Sequence, residues 1–187
     1  SIAPYWYDVN DNKKTWTNKQ IVQRSCGKFR REWENSSMKD KSYTPENYPI
    51  LRYGDVLLML AEAENEAHQG PTDLAYECIN EIRQRAGISK LEGLSYTDFQ
   101  QAVRDERARE LCFESLRKYD LVRWGIYVEA VHDKLGAATQ DKRWATGNQF
   151  IGARDYAART QEKHQFLPIP TKELDVNGKL EQNKYWQ

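Results

Sequence analysis

The sequence lacks the features of a membrane-spanning or nucleic-acid-binding protein. No apolar run approaches the roughly 20 residues that a membrane-spanning helix requires. Lysine and arginine together number 28, as do aspartate and glutamate, so no excess positive charge favours nucleic acid or an anionic membrane. The start, Ser1-Ile2-Ala3-Pro4, is neither a signal peptide nor a lipidated cysteine. We therefore expect any export signal to lie upstream.

Cysteine and histidine are scarce, with three of each. The cysteines have no metal-ligand spacing, and their number is odd. Cys78 and Cys112 fall in predicted helices, where a cysteine usually acts as a small buried hydrophobe. The cysteine content therefore leaves the cellular compartment open. No serine or cysteine nucleophile motif accompanies the histidines, so we predict no catalytic residue and no enzyme.

Helical periodicity is what the chain does contain. Residues 51–68 are predicted to form a helix that is apolar on most sides, and Gly70-Pro71 ends it. Thr72 or Asp73 is the predicted cap of a second helix, which Gly87 terminates. These two elements predict one antiparallel helical hairpin.

A second hairpin follows. Thr97, with Gln100 three residues later, is typical of a capping box for a third helix, and a fourth helix is predicted over 121–135. The length of 187 residues fits a single domain over 1–187. The rest is predicted to be irregular, with short strands and loops over 1–48, one strand over 27–33, a polar excursion over 136–165 and an extended tail after 166.

Two carboxylates share a helical stripe with apolar side chains. The stripe consists of Phe99, Val103, Glu106, Glu110 and Phe113. Burying the carboxylates without partners would be very costly. The nearby cations are Arg107, Arg109, Arg117 and Arg123. We therefore predict structural ion pairs that involve Glu106, Arg107, Glu110 and Arg123.

The four-residue spacing of Glu106, Glu110 and Glu114 could instead present carboxylates to two metal ions. Such a four-helix site would need two Glu-x-x-His motifs. Residues 129–132 supply one, and the sequence holds no second. Ion pairing is therefore the favoured interpretation, and we predict no metal and no cofactor.

Aromatic residues cluster near the N-terminus, at Tyr5, Trp6, Tyr7 and Trp16. Polar residues lie between them, at Asp8, Asn10, Asp11 and Asn12. Sugars combine apolar C–H faces with hydroxyls, so aromatic rings beside polar side chains suit them. These four rings are our candidate ligand-binding residues. The other interpretation is that they pack onto the helical scaffold.

Several segments resemble the C-terminal region of the SusD/RagB family, in the order that the family has them. They are 48–59 (YPILRYGDVLLM), 61–63 (AEA), 79–87 (INEIRQRAG), 106–111 (ERAREL), 119–125 (YDLVRWG), 166–170 (FLPIP), 173–174 (EL) and 182–183 (QN). The resemblance covers residues 27 to 187. It implies a mainly helical fold with tetratricopeptide-like hairpins between irregular, partly extended terminal segments.

The resemblance also implies a function. Proteins of this family are surface-facing outer-membrane lipoproteins that bind oligosaccharide without cleaving it and cover a SusC-like TonB-dependent transporter. For this chain it implies an oligosaccharide ligand, such a transporter as partner, and membrane attachment only through an upstream lipid anchor. No binding residue of the family can be carried over by motif.

An alternative stays open, in which the chain is a helical-repeat adaptor that binds a peptide or protein. Family members run to several hundred residues, so we expect the chain to be a C-terminal piece. The first helix is apolar on most of its circumference, and three further helices are available to cover it. We therefore expect the chain on its own to expose an apolar surface or to associate with itself.

Overall fold

The computed structural model describes residues 5–7, 10, 12–17, 26–30, 33–34, 43–139 and 148–187. The chain divides into two compact units. Unit 1 consists of Ser1–Trp16 and Gln23–Arg117, and unit 2 of Thr17–Val22 and Lys118–Gln187. The assignment of the whole chain to one domain stays a prediction.

Three helices form the body of unit 1: α1 (Tyr53–His68), α2 (Asp73–Arg85) and α3 (Tyr96–Glu110). Helix α1 packs against both α2 and α3, which also contact each other. The Tyr76 and Phe99 rings meet edge to face, with centroids 5.1 Å apart. The buried apolar core consists of Leu57, Leu58, Ala61, Ala75, Cys78, Ile79, Ile82, Phe99 and Val103.

The predicted ends of α2 are confirmed. The Thr72 hydroxyl accepts a hydrogen bond from the Ala75 N–H at 3.1 Å and caps the helix. At the other end, Gly87 has a φ of +72°, a left-handed conformation that favours glycine, and donates to the Gln84 carbonyl at 2.9 Å.

The predicted cap of α3 is wrong by two residues. Ser95, not Thr97, accepts from the backbone N–H of Asp98, at 3.2 Å, and donates to the Asp98 carboxylate at 2.7 Å. Aspartate therefore takes the place that Glu or Gln occupies in the usual capping box. The helix begins at Tyr96, so Thr97 lies in its first turn.

One side of α1 is apolar and exposed. It presents Tyr53, Val56, Met59 and Leu60, and Ile50 before the helix is 91% exposed. The opposite side supplies Leu57, Leu58 and Ala61 to the core. Helix α1 therefore contributes to two apolar surfaces, of which α2 and α3 cover one.

Two short strands near the N-terminus form an antiparallel pair, β1 (Tyr5–Tyr7) and β2 (Lys13–Thr15). The predicted strand over 27–33 is wrong for the residues described there. Phe29 has a φ of +53°, which interrupts an extended chain, and the Trp33 N–H donates to the Arg30 carbonyl at 3.0 Å, which closes a turn. The alternation of side-chain polarity in this segment therefore does not correspond to a strand.

Short helices and turns build most of unit 2. They are α4 (Arg117–Arg123), α5 (Tyr127–Ala130), a π-helical turn (Val131–Gly136), α6 (Ala137–Thr139), α7 (Asn148–Arg159), a 3-10 turn (Glu162–Gln165) and α8 (Thr171–Val176). Leu121, Tyr127, Val131 and Ala157 form its buried core. Because Gly125 has a φ of +69°, the helix predicted over 121–135 is interrupted there.

The C-terminal part contains more regular structure than the polar excursion and the extended tail that the sequence predicted. Helix α7 lies within 136–165, packs against the π-helical turn and buries Ala157, so the predicted excursion is wrong there. In the tail, the Gln182 amide both donates to and accepts from the Ile169 backbone, at 2.9 Å in each case. Asn183 donates to the Leu167 carbonyl at 2.9 Å. None of the helices described has the length and apolar character needed to cross a membrane.

The cap of α3 can be tested directly. We expect Ser95→Ala to lower the free energy of unfolding by about 1 kcal/mol, because the substitution leaves the first-turn N–H groups without their side-chain acceptor. Thr97→Ala, the matched control in the same turn, should stay within about 0.5 kcal/mol of wild type. Urea denaturation measures both values. A larger loss at Thr97 than at Ser95 would contradict the assignment.

Candidate functional site

The strand pair brings together aromatic residues that the sequence singled out. Trp6 lies opposite Lys14, and the Trp6 and Trp16 ring centroids are 5.7 Å apart at an interplanar angle of 32°. Both residues are half-buried, and neither indole N–H has an acceptor among the described residues. A buried indole N–H usually finds a hydrogen-bond partner, and the contact between these two tilted rings does not supply one.

Two cations lie over the ring of Tyr5. Lys13 Nζ is 3.8 Å from the ring centroid, and Arg30 Cζ is 4.2 Å from it. Arg30 also lies 5.5 Å from the ring of Trp33. A cation–π contact is worth about 0.5–1 kcal/mol at exposed sites, so a sugar stacking on Tyr5 would compete with these cations.

Part of the predicted aromatic site lies outside the described residues, namely the side chain of Tyr7 and the residues Asp8 and Asp11. Asn10 and Asn12 are exposed. The structure thus places Tyr5 and Trp6 on β1 and Trp16 directly after β2, and their role as ligand-binding residues stays a prediction.

Helix α3 carries buried charges that meet charges on the other two helices. Glu106 Oε2 accepts from Arg83 Nη1 of α2 at 2.8 Å, and 4% of the Glu106 side chain is exposed. Arg109 lies 3.7 Å from the same oxygen. Arg107 donates to Asp55, in the first turn of α1, at 2.8 Å. Buried ion pairs therefore connect α3 to both α1 and α2.

A larger charge network surrounds the end of α3. Arg52 donates through Nη1 to Glu110 at 2.5 Å and through Nε to Glu114 at 2.7 Å. Arg85 pairs with the second oxygen of Glu110 at 2.5 Å, and Lys28 pairs with Glu114. Arg52 and Lys28 also donate to the Glu110 carbonyl, each at 2.6 Å. Three cations thus hold two carboxylates in place.

The network shifts the pKa values of its members. Burial raises the pKa of Glu110, but hydrogen bonds and charges from Arg85 and Arg52 outweigh it, so the pKa lies below the ordinary 4.5. Burial also raises the pKa of Glu114, but hydrogen bonds and charges from Arg52 and Lys28 outweigh it, so this pKa too lies below 4.5. Burial opposes the charge of Arg52, yet its bonds to Glu114 and Glu110 raise its pKa above the ordinary value of an arginine. All three side chains are therefore charged at neutral pH.

The sequence missed the cations that make these close contacts, which are Lys28, Arg52, Arg83 and Arg85. Helical spacing reveals neighbours on the same helix, whereas these residues come from other segments. Of the predicted cations, Arg123 pairs with Asp120 at 3.0 Å in unit 2, and Arg117 donates to the Arg104 carbonyl at 3.1 Å.

The charge network forms one wall of a cleft of about 620 Å³ within unit 1. Phe29, Trp33 and Pro49 line other parts of it. Trp33 is 65% exposed, and the Phe29 ring stands 5.7 Å from that of Tyr48. Aromatic rings therefore lie beside fixed cations. This combination suits a polyhydroxylated ligand, whose C–H faces stack on rings and whose oxygens accept from cations.

Gly54, in the first turn of α1, leaves room for the network. A Cβ atom at this position would lie 2.8 Å from Arg52 Nη1 and 3.1 Å from Glu110 Oε1. The guanidinium and the carboxylate occupy the space that a side chain would need. A side chain here would therefore require the end of the Arg52 side chain to move.

Comparison with known proteins identifies the family. The SusD family model matches residues 3–186, so the chain belongs to the SusD family. SusD-like protein P25 of Formosa agariphila is 40% identical over 139 residues, which are 72% of this chain and 23% of that protein. SusD-like protein P2 of the same organism is 29% identical over 148 residues, 73% of this chain and 25% of that protein. The chain thus spans about a quarter of each relative.

Solved structures agree. A SusD homologue from Bacteroides thetaiotaomicron aligns with 98% of this chain and 39% of its own, at 31% identity and a TM-score of 0.74. A SusD superfamily protein from Bacteroides vulgatus aligns with 78% of this chain and 29% of its own, at 31% identity and a TM-score of 0.58. The predicted mainly helical, tetratricopeptide-like fold is confirmed.

We expect Glu106→Ala to cost about 3–5 kcal/mol of unfolding free energy, because it breaks a buried pair and leaves the half-buried Arg83 guanidinium without its carboxylate. Glu92→Ala, which removes an exposed carboxylate, is the control and should stay within about 0.5 kcal/mol of wild type. Thermal and urea unfolding measure both. A Glu106→Ala melting temperature equal to that of wild type would show that the pair does not support the fold.

Stability should fall at acid pH. The folded-state pKa values of Glu110 and Glu114 lie below 4.5, so the unfolded chain binds more protons in this range. Their contribution is complete above about pH 4.5 and is lost as the pH falls through the folded values. The double variant Glu110→Gln/Glu114→Gln should be less stable at pH 7 and lose less between pH 5 and 3. An unchanged acid slope in urea titrations would contradict the network.

Proposed function

We propose that the chain is part of a non-enzymatic oligosaccharide-binding component of an outer-membrane nutrient uptake system. It would work with a SusC-like TonB-dependent transporter, as a surface-facing lipoprotein held by an upstream lipid anchor. The observation that carries this proposal is the SusD family match over residues 3–186. Members of this family bind glycans and do not cleave them.

Two features of unit 1 support a glycan-binding surface. The first is the Trp6 and Trp16 ring pair of the strands, and the second is the cleft lined by Trp33 and Arg52. Arg30 connects them, because its guanidinium lies over both the Tyr5 and the Trp33 rings. Rings and cations therefore lie side by side from the strand pair to the cleft, and rings can stack on the C–H faces of sugars while cations donate to their oxygens.

We also propose that the chain is the C-terminal piece of a longer protein. The exposed face of α1, which includes Tyr53, Val56 and Met59, supports this, because a contiguous apolar face on a soluble protein usually contacts another surface. Earlier helices of the same protein would cover it. The same observation favours the rival function, a helical-repeat adaptor, in which a peptide or protein partner would cover it instead.

A glycan array with immobilised neutral and acidic oligosaccharides tests the proposal. We expect the chain to bind at least one glycan, and Trp6→Ala to weaken that binding about tenfold, which corresponds to about 1.4 kcal/mol. Tyr43→Ala, which removes an exposed ring outside the strand pair and the cleft lining, is the control and should bind like wild type.

One outcome would contradict the proposal, and another would move the binding site. Absence of binding to every glycan, together with capture of a peptide that contacts α1, would favour the adaptor. Glycan binding that Trp6→Ala leaves unchanged would remove the strand pair from the site and leave the cleft as the candidate.

A further inference from the structure

Unit 2 contains an open cavity of about 440 Å³, within the range of about 300–1,000 Å³ that is typical of small-ligand sites. Five rings line it, those of Tyr127, Tyr156, His164, Phe166 and Trp186. Tyr127 is 2% exposed and Tyr156 is 48% exposed, so the cavity extends from a buried wall to an open rim. Neither the aromatic strand pair nor the charged cleft contributes a residue to it.

Contacts of their own hold the rings of the tail in place. The Trp186 indole donates to the Lys163 and Phe166 carbonyls, at 3.0 Å each. The His164 ring meets Trp186 at 74°, with centroids 5.9 Å apart. Phe166 stacks on Tyr185, with centroids 5.4 Å apart and planes 6° from parallel. The aromatic walls are therefore already arranged without a ligand, which lowers the entropy cost of binding.

The cavity also holds a hydroxyl proton that has no acceptor among the described residues. The Tyr127 and Tyr156 hydroxyls form a hydrogen bond with each other. One hydroxyl donates to the other, and the accepting hydroxyl keeps its own proton. Burial, together with the bond to Tyr156, raises the pKa of Tyr127 to about 12. The pair therefore offers a donor at neutral pH.

Further polar side chains line the cavity, namely those of Lys118, Asp155, Arg159, Thr160 and His164. The Gln161 backbone N–H donates to His164 Nδ1 at 2.8 Å. A nitrogen that accepts carries no proton, so the proton of the neutral imidazole sits on Nε2. Lys118 also lines the cavity, and its Nζ stands 5.3 Å from the Tyr127 ring centroid.

These donors decide between classes of ligand. A purely apolar group would displace water from the buried Tyr127 hydroxyl and leave the Tyr127–Tyr156 pair without a further partner. A pyranose ring has C–H faces that stack on aromatic walls and several oxygens that accept hydrogen bonds. We propose that this cavity binds one pyranose ring of a glycan, with oxygens accepting from the Tyr127–Tyr156 pair, His164 and Lys118. The ligand class rests on the proposed function, and the site is new.

Nuclear magnetic resonance of the isotopically labelled chain tests the cavity with defined probes, the methyl pyranosides of glucose, galactose and glucuronic acid. We expect at least one to produce saturable shifts of the amides around Tyr127, Tyr156 and His164. A response to the uronide alone would assign the ligand to acidic glycans. A response to glucose or galactose would assign it to neutral ones.

Tyr156→Phe is the decisive variant, because it keeps the ring and removes one hydroxyl. It should weaken binding about twofold to tenfold, the equivalent of one hydrogen bond. Trp186→Ala should weaken it more than tenfold, and thermal melting checks that this variant is folded. Tyr119→Phe, an exposed tyrosine of unit 2 outside the cavity lining, is the matched control and should leave the affinity unchanged.

The outcomes separate this inference from the proposed function. Array binding without shifts at the cavity, and with no effect of Tyr156→Phe, would overturn the cavity site and leave the proposed function standing. Cavity shifts without array binding would support the site and contradict the proposed function. Failure of both assays would overturn both.

Discussion

The buried carboxylate of Glu106 constrains how α2 and α3 can pack. Apolar contacts such as those of Ile82 and Val103 tolerate small shifts, because the hydrophobic effect has no direction. The pair between Glu106 and Arg83 does have a direction, and breaking it would strand a charge away from water. The pair between Arg107 and Asp55 places the same demand on α1 and α3. The three helices therefore have a limited choice of register.

Helix α3 also extends the charge pairing from the buried helix interface to the surface cleft. One turn after Glu106, Glu110 meets Arg52 from the start of α1 and Arg85 from the end of α2. Glu114 extends the network to Lys28, far earlier in the chain. The residues that hold the helix ends together also line the cleft. Any ligand that draws Arg52 or Lys28 away from these carboxylates would weaken the helical scaffold.

Sequence pattern predicted the hairpin of α1 and α2 because its signals are local. Thr72, Gly87 and the apolar spacing act within a few residues of each other. The same reasoning placed Glu106 and Glu110 on one stripe of α3, where Glu106 is buried and Glu110 half-buried, but it was wrong for Phe113, which is exposed beyond the end of the helix. It could not find Arg52 or Arg83, because helical periodicity carries no information on which other segment approaches a face. It also missed α7, because small apolar residues such as Ala157 lie between charged ones and give no clear apolar period.

The candidate sites likewise differ in whether the sequence alone could reveal them. An aromatic cluster whose members are close together along the chain, such as Tyr5 to Trp16, is visible in the sequence itself. The cavity of unit 2 joins residues from Lys118 to Trp186, and tertiary contacts alone bring them together. The position of the proton on the His164 ring cannot be predicted from the sequence, because it follows from one backbone hydrogen bond.

Gly54 has a consequence for protein engineering. Replacing a helical glycine by alanine is a standard route to a more stable protein, worth about 0.4–1 kcal/mol where the backbone permits it. At this position the added methyl group would lie 2.8 Å from Arg52 Nη1, so the guanidinium would have to shift. The gain in helix propensity would be set against a disturbed bond between Arg52 Nη1 and Glu110. A stabilisation strategy that treats every helical glycine alike would therefore disturb the charge network at this cleft.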